Sequence, residues 1–179
     1  MCGIVGALSL NKTSINVDYS KPMADKIAHR GPDDAGYLFF HTGTRHKKKN
    51  SFYQNVTDQK FKNPDSTHLP IEADTIQREL HQHDYDLYMG HRRLSILDVS
   101  YAGHQPMSDL SKNIWISYNG EIYNWKQLRN KFFPNEKNTI NSDTQIILKL
   151  FQKFGISFVS KLRGIFSFVI YSKKIKKFT

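Results

Sequence analysis

Gly3-Ile4-Val5-Gly6-Ala7-Leu8-Ser9-Leu10, set directly behind Met1-Cys2, is short, apolar and twice interrupted by glycine. Such a run suits a buried strand better than a helix, so the chain is expected to begin inside its fold. Farther on, Pro22 fits the first turn of a helix reaching about Arg30, with Met23 and Ile27 on one face and Ala24 and Ala28 beside them. Gly31 then reads as a left-handed stop and Pro32 blocks continuation. Residues 37–40 read as a strand, after which 41–70 lose periodicity and suggest a long mobile insertion. Residues 73–80 allow a short helix, 87–89 lead into Arg92 and Arg93, 94–99 resume strand character, and 102–106 form a turn. Aromatic and β-branched residues at 114–118 make a strand that should end at Asn119-Gly120, the strongest short turn signal present. Ser142 with Gln145 forms a capping box, and Ile146, Ile147, Leu150, Phe151 and Phe154 make a helical stripe stopping at Gly155. Phe166, Phe168 and Ile170 alternate with Ile165, Ser167 and Val169, which reads as a strand buried on both faces. Strands and helices mix without a repeating βαβ unit or internal repeat, an α+β pattern.

Composition narrows the function. The 179 residues and 20.8 kDa fit one domain. Twelve Phe, nine Tyr and two Trp supply enough apolar surface to offset chain entropy, which excludes a wholly disordered protein. No apolar run approaches the roughly 18 residues of a membrane span, and no basic lead precedes the first apolar run, so neither anchor nor signal peptide is read. One cysteine excludes an internal disulfide and fits a reducing, cytoplasmic setting. The net charge of +10 first raises nucleic acid as a partner. Its location argues against that: 41–70 carry six basic against two acidic residues, and the last nine residues add Lys173, Lys174, Lys176 and Lys177 with no acid. Charge blocks of this kind are solvated appendages more often than binding faces.

Cys2 needs its own explanation. Its small side chain permits removal of Met1, which would join a thiol and a free amine in one residue. An unperturbed α-amine titrates at about 7.7–8.0 and a thiol at about 8.5, so the amine can take the thiol proton near neutrality. A small buried hydrophobe is the bland alternative.

Further motifs decide between these readings. CGIVG at 2–6, HRGPD at 29–33, HRRLSILD at 91–98, NGEIYN at 119–124 and SDT at 142–144 resemble, in this order, the class II glutamine amidotransferase half of glutamine-hydrolysing asparagine synthetases. The resemblance covers almost the whole chain except 41–86, where that family has a shorter connection. It implies the N-terminal nucleophile hydrolase fold, a four-layer αββα sandwich of two antiparallel sheets between helix layers. It also implies Cys2 as nucleophile, with the Asn119 amide and the Gly120 N–H as oxyanion hole. Arg93 would grip the α-carboxylate of glutamine bidentately, while Arg92 on an extended strand points the other way. Glu121 and Asp143 would receive the α-ammonium, and the main chain of Leu94, Ser95, Ile96 and Leu97 would line the pocket. Read alone, Asn119-Gly120 is a hairpin turn and Asp143 a favourable acid in a first helical turn. His29 and Arg30 stay outside this set, and His81-Gln82-His83-Asp84 near His91 lacks metal-ligand spacing, so no metal site is expected.

One amidotransferase domain over 1–179 is thus expected, with a basic insertion at about 41–86 and a C-terminus truncated relative to the family pattern. L-glutamine is the expected ligand and no cofactor is needed for this half. ATP and magnesium would serve a synthetase domain, in cis or in trans, that uses aspartate. A homodimer is left open, as are another carboxylate acceptor and an inactive binding relic.

Overall fold

The computed structural model describes residues 2–11, 13–42, 80–95 and 103–173, together with the strand backbone of 53–57, 71–72 and 177–178. The chain divides into two compact units, Met1–Pro106 and Met107–Thr179.

The first unit is a five-stranded sheet in the order β1-β5-β2-β3-β4. Its strands are β1 (Gly3–Leu8), β2 (Asp34–Phe40), β3 (Tyr53–Thr57), β4 (Ile71–Glu72) and β5 (Leu87–Arg93). Antiparallel registers run from Gly3↔Arg92 to Leu8↔Leu87 on one side of β5 and from Asp34↔Arg93 to Phe40↔Leu87 on the other. The two-residue β3–β4 pair is parallel, a departure from the expected all-antiparallel sheet. The core gathers Ala24, Ala35, Tyr37, Phe39, Leu80, Tyr85 and Tyr88, with the Phe39 ring centroid 5.3 Å from both Tyr85 and Tyr88.

Several expectations for this unit need correction. β1 forms as read, but it lies at the sheet edge and only Gly3 is buried, while Leu8 is 36% exposed. The helix begun near Pro22 is α1 (Ser20–Asp25), followed by a separate 3-10 turn at Ala28–Arg30. Gly31 has φ −152°, so it is no left-handed stop; a Cβ there would overlap the Arg92 carbonyl, and close strand approach explains the glycine. The strand near 37–40 starts earlier, at Asp34. β3 and β4 lie inside 41–70 and just beyond it, where polar composition hides strands whose bonding is main-chain pairing to a neighbour. Strand character ends at Arg93 rather than resuming at 94. The helix expected at 73–80 lies outside the described residues except Leu80, as does the rest of the 94–99 run beyond Ser95.

The second unit is an antiparallel sheet in the order β6-β7-β8-β9. Its strands are β6 (Met107–Ser108), β7 (Ile114–Ile122), β8 (Gly164–Ser172) and β9 (Lys177–Phe178), with helices α2 (Trp125–Phe132) and α3 (Asp143–Phe154). Ile114, Ile116, Tyr118 and Ile122 of β7 pack with the α3 stripe of Ile146, Ile147, Leu150 and Phe151. α3 begins and ends as the capping box and Gly155 indicate. β8 is covered less evenly than expected: Ile165 is 71% exposed while Phe166 and Phe168 pack on the core, so the first half alternates, and only Ile170, Tyr171 and Ser172 at its end are buried on both faces.

Candidate active site

In the first unit, Cys2 immediately precedes β1 and is half-buried. Because β1 pairs with β5, the chain leaving β5 passes beside it, and the Leu94 N–H donates to Cys2 Sγ at 3.5 Å. The first main-chain N–H of the 94–97 stretch thus contacts the sulfur. Arg30 Nε donates to the Cys2 carbonyl at 3.1 Å and fixes the residue from the other side. Ser95 N–H donates to Asp33 Oδ2 at 2.7 Å, which anchors the turn after β5 to the HRGPD segment. Ile96 and Leu97 lie outside the described residues.

Strand alternation separates the two arginines as expected. Arg92 Nε reaches the Ala24 carbonyl at 3.3 Å and its Nη2 meets Asp25 Oδ1 at 2.5 Å, so its charge serves α1. Arg93 is buried, and a Cβ on Gly103 would overlap its guanidinium, which sets that group directly against Gly103. Asp34, opposite Arg93 in the β2–β5 register, bonds His104 Nδ1 at 2.7 Å, and both are buried. Burial works to raise the Asp34 carboxyl, but the His104 hydrogen bond and the charges of His104, Arg93 and His91 outweigh it and hold it below the ordinary value.

In the second unit β7 does not turn at Asn119-Gly120. It runs on through both, pairing Asn119 with Ser167, Gly120 with Phe166 and Glu121 with Ile165. The hairpin reading is thus wrong: pairing to β8 overrides a local turn signal. Gly120 has φ +156°, and a Cβ would lie 2.6 Å from the Phe166 Cα, so glycine is required by both backbone and neighbour. Glu121 is exposed at the end of this strand. Asp143 opens α3 behind Ser142, whose side chain accepts from the Gln145 N–H at 3.2 Å. Asp143 Oδ2 accepts from the Tyr118 hydroxyl at 2.7 Å and from the Ile122 N–H at 3.3 Å, one residue beyond Glu121. The two acids are thereby held at one end of β7.

Four residues of the site were not singled out from sequence for these contacts. Arg30 could have been found, since it lies inside HRGPD. Tyr118 reads as an ordinary strand aromatic, and the Asp34–His104 pair joins positions 70 residues apart. Among the described residues no group of three metal-ligating side chains occurs, and His81 instead contacts Asp18 at 3.3 Å.

Residues 74–179 match the family model described as Glutamine amidotransferase domain. The chain belongs to that family. It is 32% identical over 178 residues to glutamine-hydrolysing asparagine synthetase 1 of Bacillus subtilis (strain 168), covering 97% of this chain and 21% of that protein. It is 39% identical over 183 residues to the glutamine-hydrolysing asparagine synthetase of Zea mays, covering 99% and 23% respectively. The amidotransferase domain therefore spans less than a quarter of the length of these two relatives. A solved structure of glutamine phosphoribosylpyrophosphate amidotransferase from B. subtilis, complexed with ADP and GMP, aligns with TM-score 0.58 at 18% identity over 96% of this chain and 35% of that one. The amidotransferase domain accordingly has the α+β fold of N-terminal nucleophile hydrolases, with two sheets and helices.

Proposed function

We propose that this domain hydrolyses the side-chain amide of L-glutamine, releasing glutamate and ammonia. The ammonia would serve ATP-dependent amidation of aspartate by a synthetase domain, in cis or in trans, as the names of the relatives suggest. ATP and magnesium would belong to that domain, and this half would work without a cofactor. A reducing cytoplasm would keep Cys2 a thiol.

The observation that carries the reading is Cys2 Sγ held by the Leu94 N–H, one residue after buried Arg93. After Met1 removal the freed α-amine takes the thiol proton, and sulfur forms a bond to the amide carbon as the carbonyl π pair moves to oxygen. The Asn119 amide and Gly120 N–H receive that negative oxygen. The pair returns, the C–N bond breaks, and nitrogen leaves as ammonia with the amine's proton. Water then attacks the thioester, giving glutamate and the free thiol. Arg93 binds the α-carboxylate, while Glu121 and Asp143 bind the α-ammonium. Asp143 already accepts from Tyr118 and Ile122, but a carboxylate has about four acceptor positions, which leaves capacity for an ammonium.

Ammonia release from L-glutamine by the full chain, with its N-terminus read by mass spectrometry, tests this. Cys2→Ser and Cys2→Ala should each lower the rate by at least about 1,000-fold while remaining folded. Turnover surviving in Cys2→Ala removes the nucleophile from the scheme.

A further inference from the structure

The glutaminase reading gives Arg93 the task of gripping a carboxylate but says nothing of what holds Arg93 still. A guanidinium on a flexible stem loses rotamer entropy on binding unless its surroundings fix it beforehand. The structure supplies such surroundings in the first unit. Arg93 ends β5 directly opposite Asp34 of β2, and the Asp34 carboxylate bonds His104 Nδ1 at 2.7 Å. His104 follows Gly103, against which the Arg93 guanidinium lies with no room for a Cβ. Gly36, two residues along β2, likewise has no space for a Cβ beneath His104 and the Gln105 carbonyl, so the segment is pressed onto the strand. Asp34, Arg93 and His104 are 4%, 7% and 6% exposed. A buried carboxylate joined to a buried imidazole thus ties the 103–106 segment down over the arginine.

We propose that Asp34 and His104 are positioning residues for substrate recognition: their buried pair clamps Gly103 across the guanidinium of Arg93 and presets it for the α-carboxylate of glutamine. They touch no substrate. Their effect runs through Arg93 and falls on binding of the carboxylate rather than on thioester chemistry. This inference rests on the glutaminase reading.

The test compares L-glutamine with L-glutaminamide, whose α-carboxylate is replaced by a neutral amide, using the full chain and measuring ammonia release. For Asp34→Asn and for His104→Asn, which retains an N–H donor near the Nδ1 position, KM for L-glutamine should rise about tenfold in Asp34→Asn and less in His104→Asn. In both, kcat and the KM for L-glutaminamide should stay within about threefold of the wild type. Gly103→Ala, which pushes directly on the guanidinium without touching the Asp34–His104 hydrogen bond, should give the same substrate-selective signature. Equal losses on both substrates, or an unchanged KM for glutamine in all three variants, overturn the positioning role while leaving the glutaminase intact. A wild-type chain releasing no ammonia from glutamine fails one step earlier, overturning the glutaminase reading and this inference with it.

Discussion

Asp34 keeps its charge in a place that disfavours charge. Burial pushes its carboxyl up, but the His104 hydrogen bond and the positive field of His104, Arg93 and His91 pull it further down. Its folded titration therefore lies below the unfolded value of about 3.9, and the native state favours the ionised form. That contribution is complete above the unfolded value and is lost as pH falls through the folded one. Urea midpoints should accordingly show the wild type ahead of Asp34→Asn at pH 7, with the gap narrowing towards pH 3; a gap independent of pH would mean that packing alone explains the difference. At this scale much of the site was legible. The alternation of Arg92 and Arg93 follows from strand geometry, and the structure sends one to Asp25 and buries the other beside Gly103. The His104 partnership was not legible, because a lone histidine in a turn gives no sign of which distant acid it will meet.

The elements divide according to whether local or distant forces set them. α3 could be read outright, since the Ser142 cap, the apolar stripe and Gly155 all lie within one stretch. β7 could not. Asn-Gly is a strong hairpin signal, yet nine residue pairs with β8 carry the strand through it to Ile122. α2 was not read from sequence, and its N-terminal Asn124 makes no cap: the side chain donates to the Lys161 carbonyl and accepts from the Arg163 N–H instead, tying the turn after β7 to the start of β8. The passage of β7 through Gly120 carries its own expected outcome. Gly120→Ala places a methyl against Phe166 at φ +156°, a strain on the order of 1–3 kcal/mol. Thermal unfolding should drop accordingly. Ammonia release should fall by about 100-fold or more, because the displaced N–H is the one assigned to the oxyanion. A stable variant with normal turnover would show that β7 bends freely at this point and that the N–H has no such duty.

At the scale of the whole chain, the basic segment read as an insertion is flanked by contacts that do not depend on its contents. β2 ends at Phe40 opposite Leu87, the Asp86 N–H donates to the Phe40 carbonyl at 2.9 Å, and Thr42 donates through both its N–H and its hydroxyl to the buried Asp86 carboxylate at 2.7 Å each. The chain thus departs and returns beside the paired ends of β2 and β5, whereas the sequence between showed only lost periodicity, so β3 within it was not read. Cys2, Arg30, Arg93 and Leu94 depend on the β1–β5 and β2–β5 ladders on the other side of β2. Replacing 43–79 with a flexible linker of about eight residues should therefore leave the ammonia-release rate of the monomeric fraction within about threefold of the wild type. The loss should appear elsewhere: removing β3 strips the outer partner from β2, and an unpaired apolar strand edge invites association between copies. Light scattering should rise with protein concentration in the shortened chain, more than in the full one, even as turnover per monomer holds. If turnover in the monomer collapses instead, the insertion is part of the glutamine site rather than an appendage to its sheet.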